Sequence, residues 1–149
     1  MNVAADTGLE FLRQALALRG YRQQILAADI ANSSTPGFKA IDLDFRQALA
    51  AAAGGSAPAA QAPPIWLVDD ARHIGGAATA VPSGAAAAIK YRVDGAVTLD
   101  GNSVDLGAEK AAAAENSVQY LAATTFATQI VRMLSAAVGG AAPQSSGGA

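Results

Sequence analysis

The stretch from Val104 to Val138 constrains this chain most, because it reads as one long helix without a polar side. Asp105 and Glu109 lie in its first turns, where the helix dipole favours negative charge, and Asn102 or Ser103 is the expected cap. Beyond them, Val118, Leu121, Phe126, Ile130, Val131, Met133, Leu134 and Val138 are spread around the whole circumference. A helix that is apolar all round is buried on every side or crosses a membrane. Gln129 and Arg132 interrupt the best candidate span, so direct membrane insertion is not expected. At about 1.5 Å per residue the helix runs to roughly 50 Å. A chain of 149 residues with two low-complexity stretches cannot surround it. The remaining cover is expected from other subunits.

A second long helix is predicted near the N-terminus. Thr7 and Glu10 fit a capping box at its start, and the pattern stays helical from Leu9 to Ala31. Leu9, Leu12, Leu16, Leu26 and Ile30 share one side, with Phe11, Leu18 and Ile25 in a second stripe beside it. Glu10, Arg13, Gln14 and Gln24 take the wet side. The apolar face is broader than one coiled-coil seam needs, so it is either one wide core face or serves two partners, one inside the chain and one outside. The helix should stop before Pro36, since proline lacks an N–H and disfavours helix at Thr35. Asn32, Ser33, Ser34 and Thr35 compete for backbone groups, and Pro36-Gly37 suits a type II turn with Gly37 at positive φ. Phe38 is the candidate anchor of that turn.

Between the helices the signals are short. Lys39 to Leu43 reads as extended, and Asp44 with Gln47 forms a second capping box opening an alanine helix from Phe45 to Ala53. Gly54 to Pro64 and Gly75 to Ala88 read as flexible linkers, too poor in apolar bulk to offset chain entropy. Ile65 to Val68 and Ile89 to Val93 read as strands that could pair as a small hairpin. Asp100-Gly101-Asn102 is a turn, and Gly139-Gly140 opens a flexible tail over 139–149.

Composition narrows the functional classes. Hydrophobic residues make up 52% of the chain but aromatics only 5%, so alanine supplies most of the apolar count and the core should be thin. A net charge of −2 argues against nucleic acid, which needs a basic face. Without cysteine there is no disulfide or thiolate zinc site. His73 is the sole histidine, and beside Ile74 in a linker it reads as structural rather than catalytic. Asp42 and Asp44 are better explained by a strand end and a helix cap than by acid–base work, and Asp69/Asp70 lack EF-hand spacing. The glycine pairs are not phosphate loops, and Trp66 is as readily a hairpin core as a partner anchor. No enzyme and no cofactor is expected.

The order of residues points to a family. Arg22 to Asn32 leads into Thr35-Pro36-Gly37-Phe38-Lys39-Ala40, followed by Asp42-Leu43-Asp44-Phe45 and Arg72-His73-Ile74. Later come Asp100-Gly101-Asn102-Ser103-Val104-Asp105-Leu106, Glu109, Glu115-Asn116 and Tyr120. Together these resemble the flagellar basal-body rod and hook family of axial proteins, and the last group its proximal rod members. Ser33-Ser34 and Phe38 depart mildly from the usual small polar pair and tyrosine.

The resemblance implies a mainly α fold. Its helices 7–33 and 104–138 would pair as an antiparallel coiled-coil-like stalk, one discontinuous helical domain. Residues 34–103 would form a flexible middle section holding the short helix and a small β-hairpin. It further implies a structural rod subunit in the periplasm-spanning basal body, exported unfolded through the flagellar type III apparatus without a cleavable signal peptide. Its partners would be other rod proteins, the rod–MS-ring adaptor FliE and copies of itself. A soluble coiled-coil adaptor or chaperone, or another axial protein of the family, is the alternative.

Overall fold

An uninterrupted run of good helix formers carries the first helix past its capping signal. In the computed structural model, which describes residues 3–54, 81–92 and 98–139, helix α1 spans Val3–Ala31. The expected start at Thr7 is therefore corrected: Val3 to Asp6 contains no helix breaker, and alanine prolongs the helix. Glu10 binds Arg13, at 2.6 and 2.8 Å, and Gln14 at 3.0 Å.

Strand β1, Ile41–Leu43, pairs antiparallel with strand β2, Ile89–Tyr91, in the register Ile41↔Tyr91, Asp42↔Lys90 and Leu43↔Ile89. The strand expected at Ile89 thus finds its partner just after α1; Ile65 to Val68, the other half of the expected hairpin, lies outside the described residues, as do Trp66, Asp69, Asp70 and His73. Helix α2, Phe45–Ala53, is capped as expected by Asp44, whose Oδ1 accepts from the Gln47 N–H at 3.0 Å. The other half of the box is absent, because the Asp44 N–H donates to the Ala88 carbonyl at 2.9 Å, while Gln47 Nε2 reaches the Ala87 carbonyl at 3.5 Å.

The core sits between the middle of α1 and these short elements. Leu18, Tyr21 and Ile25, at helical spacing, pack with Leu43, Ala48, Ala52, Ala85 and Ala88. Residues 81–88 were expected as linker, yet they fold onto α2, with a 3-10 turn over Ala86–Ala88. Alanine misleads there: it buries little area but lets two backbones approach closely. Gly84 marks the closest point, with φ of 82° and no room for a Cβ, which would collide with the Ala48 carbonyl and lie 3.0 Å from the Ala52 nitrogen.

Helix α3, Leu106–Gly139, is the long last helix. Its cap is Asp105 rather than Asn102 or Ser103: Asp105 Oδ1 accepts from the Gly107 and Ala108 N–H groups at 2.9 and 3.0 Å. It lies against α1 with chain direction reversed, since Asn102 meets the end of α1 while Asn116 and Gln119 meet Arg19. Among the described residues no helix is long and apolar enough to cross a membrane.

Candidate interaction site

The turn Asn32 to Phe38 takes the geometry its residues demand. Gly37 has φ of 74°, and the Phe38 N–H donates to the Thr35 carbonyl across Pro36-Gly37 at 3.3 Å. Asn32 closes α1 by donating its amide to the Ala28 carbonyl at 2.8 Å, and its Oδ1 accepts from the Thr35 hydroxyl at 3.1 Å.

A second turn, around Gly101 at φ 82°, clamps the first. The Gly37 N–H donates to the Asp100 carbonyl at 2.9 Å, the Ser103 N–H to the Phe38 carbonyl at 3.0 Å, and the Ala40 N–H to Ser103 Oγ at 2.9 Å. Lys39 Nζ reaches the Gly101 carbonyl at 2.7 Å. Asn102 is the centre. Its amide donates to the carbonyls of Asn32, Ser33 and Thr35 at 2.9, 3.1 and 2.8 Å, and its Oδ1 accepts from the Val104 N–H at 2.7 Å. One side chain thus satisfies carbonyls that the end of a helix leaves open. The Asp-Gly-Asn signal was visible in the sequence, but Asn102 works as a clamp on α1, not as the cap of α3.

Below the turns an ion network joins the same elements. Arg22 on α1 grips Asp42 on β1 with two parallel bonds of 2.8 and 2.7 Å, and Arg92, just after β2, adds a third at 2.8 Å. Burial would raise the Asp42 carboxyl, but the bonds and charge of Arg22, the Leu43 N–H and Arg92 outweigh it and hold Asp42 below its ordinary value. Glu109, expected as a dipole complement and as part of the family match, is fully buried with its Oε1 3.3 Å from Arg92 Nε. Farther along, Asn116 Nδ2 donates to the Arg19 carbonyl and to Gln23 Oε1 at 3.0 and 2.9 Å. Arg19 also bonds Gln119 and lies over the Phe45 ring, 4.0 Å from its centroid.

The predicted packing residues fall into three groups. Leu18, Ile25 and Leu26 are buried inside the chain and are intramolecular contacts, whereas Leu12, Leu16, Ile30, Ile130 and Leu134 are half-buried. Leu9, Phe11, Val118, Leu121, Phe126, Val131 and Met133 are exposed, four of them (Val118, Leu121, Phe126 and Met133) by 60% or more. The side chain of Val138 lies outside the described residues. Among the described residues α3 fully buries only Glu109 and Asn116, while Val118, Leu121, Phe126, Val131 and Met133 face outward. A groove of about 550 Å³ runs beside the seam, lined by residues of both helices including Gly20, Ala27, Tyr120 and Leu121.

A mainly helical protein that, among the described residues, exposes Val118, Leu121, Phe126, Val131 and Met133 along one helix offers a surface for other chains to cover, as a structural assembly subunit does. No family model matches the chain. It is 37% identical over 115 residues to the flagellar basal body rod protein FlgB of Escherichia coli K12, covering 77% of this chain and 80% of that protein. With the FlgB of Salmonella typhimurium LT2 it shares 36% identity over 136 residues, 91% of this chain and 96% of the relative. For that of Cereibacter sphaeroides the values are 36% over 107 residues, 72% and 74%. The chain belongs to the flagellar basal body rod protein FlgB family.

Proposed function

We propose that the chain polymerises through its terminal helices as a subunit of the proximal rod of the bacterial flagellar basal body. In this reading residues 7–33 and 104–138 form one discontinuous rod-core domain, paired as an antiparallel coiled-coil-like stalk, and 34–103 is the middle section of the chain between them. The observation that carries it is the outward apolar flank of α3, where Val118, Leu121, Phe126 and Met133 stand in water in the single chain. Assembled, the helices transmit torque and continue the export channel. The partners are other rod proteins, FliE and further copies of the chain, reached after export through the flagellar type III apparatus. The residues offered to those neighbours are Leu9, Phe11, Val118, Leu121, Phe126, Val131 and Met133, while Asn32, Thr35, Pro36, Gly37 and Phe38 set the angle at which the chain leaves the stalk.

Deletion of the gene, followed by a motility assay and an electron-microscopic count of rods in isolated basal bodies, tests this. Rods are expected to be missing and restored by the full-length chain. Normal rods in the deletion strain would end the reading.

A further inference from the structure

Five charged side chains from four elements meet inside the junction, and the acids outnumber the bases. Arg22 and Asp29 come from α1, Asp42 from β1, Arg92 from the end of β2 and Glu109 from α3. Asp42 takes both arginines, Arg22 through two bonds and Arg92 through one. That leaves Glu109 with Arg92 Nε at 3.3 Å and, among the described residues, no hydrogen bond on either oxygen. Asp29, only 1% exposed, accepts the Ile41 N–H on Oδ2 at 3.0 Å, and its Oδ1 is buried with no hydrogen-bond partner among the described residues. A buried carboxylate without a cation of its own is costly, whereas the neutral acid at the same place costs far less.

We propose that this junction is a proton-linked latch: the closed arrangement of α1, β1, β2 and α3 carries a proton on Asp29, and its loss loosens the closure. Burial first, then the charges of Glu109 and Asp42, push the Asp29 carboxyl up to about 7, against the opposing Ile41 N–H and Arg92. Burial, with Asp42 and Asp105, raises Glu109 as well, despite Arg92 and Arg22. The folded chain therefore keeps a proton that the unfolded chain releases near 3.8. The stability this confers is complete below that value, is lost as pH rises to about 7, and changes no further above it. Between pH 5 and 8 the folding equilibrium constant should fall about a hundredfold from this group alone. The latch needs no assembled rod and stands apart from the proposed assembly role.

Urea unfolding of the full chain at pH 5, 6, 7 and 8, wild type against Asp29→Asn, tests it. Asparagine keeps an oxygen for the Ile41 N–H and carries no charge, so the difference between the two chains isolates Asp29. The variant is expected to lose the hundredfold pH dependence and to exceed the wild type in stability at pH 8. Equal pH dependence in the two chains would overturn the proposal. If the variant does not fold, the carboxyl carbon-13 shift of Asp29 in the wild-type chain reads the proton directly. A midpoint near 7 supports the latch, and one near 4 refutes it.

Discussion

Asn102→Ala removes one amide that serves three carbonyls of the first turn, together with the acceptor of the Val104 N–H. Asn102 is 2% exposed, so water does not simply take its place. Thr35 is a surface residue, and its carbonyl can return to solvent. The Asn32 carbonyl keeps the Thr35 N–H at 2.9 Å, so the Ser33 carbonyl and the Val104 N–H are the groups left short. At about 1–3 kcal/mol for each buried group without a partner, the loss should be about 2–6 kcal/mol. Against a typical total of about 5–15 kcal/mol, that is a large share of the fold. Asn102→Asp is the sharper variant. It keeps the acceptor for Val104 but turns a carboxylate oxygen toward three carbonyl oxygens, so at pH 8 it should be less stable than the alanine variant. Urea unfolding followed by far-ultraviolet circular dichroism measures both. An alanine variant within about 0.5 kcal/mol of wild type, or an aspartate variant that outlasts it, would refute the clamp.

Asp42→Ala leaves Arg22 and Arg92 without their shared partner and should cost about 3 kcal/mol by the same assay, the low end for a broken buried pair because Asp42 is 23% exposed. Since Asp42 is held below its ordinary value in the folded chain, wild-type stability should also fall as pH drops below 3.8, and that loss should shrink in Asp42→Ala. Gly84→Ala should destabilise more than Gly37→Ala in thermal unfolding, because both hold positive φ but only Gly84 faces a collision, with nothing within 4 Å of a Cβ at Gly37. Equal losses would mean that φ alone sets both costs.

Local chemistry was readable in the sequence. The Pro36-Gly37 turn and the Asp44 cap depend on neighbours a few residues away, and both form as their residues dictate. The clamp was not readable, because Asn102 reaches carbonyls 67 to 70 residues upstream. Nor was the ion network, which exists only once α1, β1, β2 and α3 have met. Ala85 and Ala88 looked like linker because composition reports bulk, while their contribution is to let α2 come close. The apolar excess of α3 was plain, but not which side meets α1, since the side chains that bond α1 there are Asn116 and Gln119.

The central claim is that α3 keeps its apolar flank for other subunits while the junction holds the single chain together. Leu121→Gln combined with Phe126→Gln tests it most directly, because both side chains are at least 60% exposed and glutamine keeps the helix. The double variant should unfold within about 0.5 kcal/mol of wild type and still fail to restore rods when it is the only copy in a deletion strain. Rods restored to wild-type number by a stably folded, normally exported variant would contradict the account.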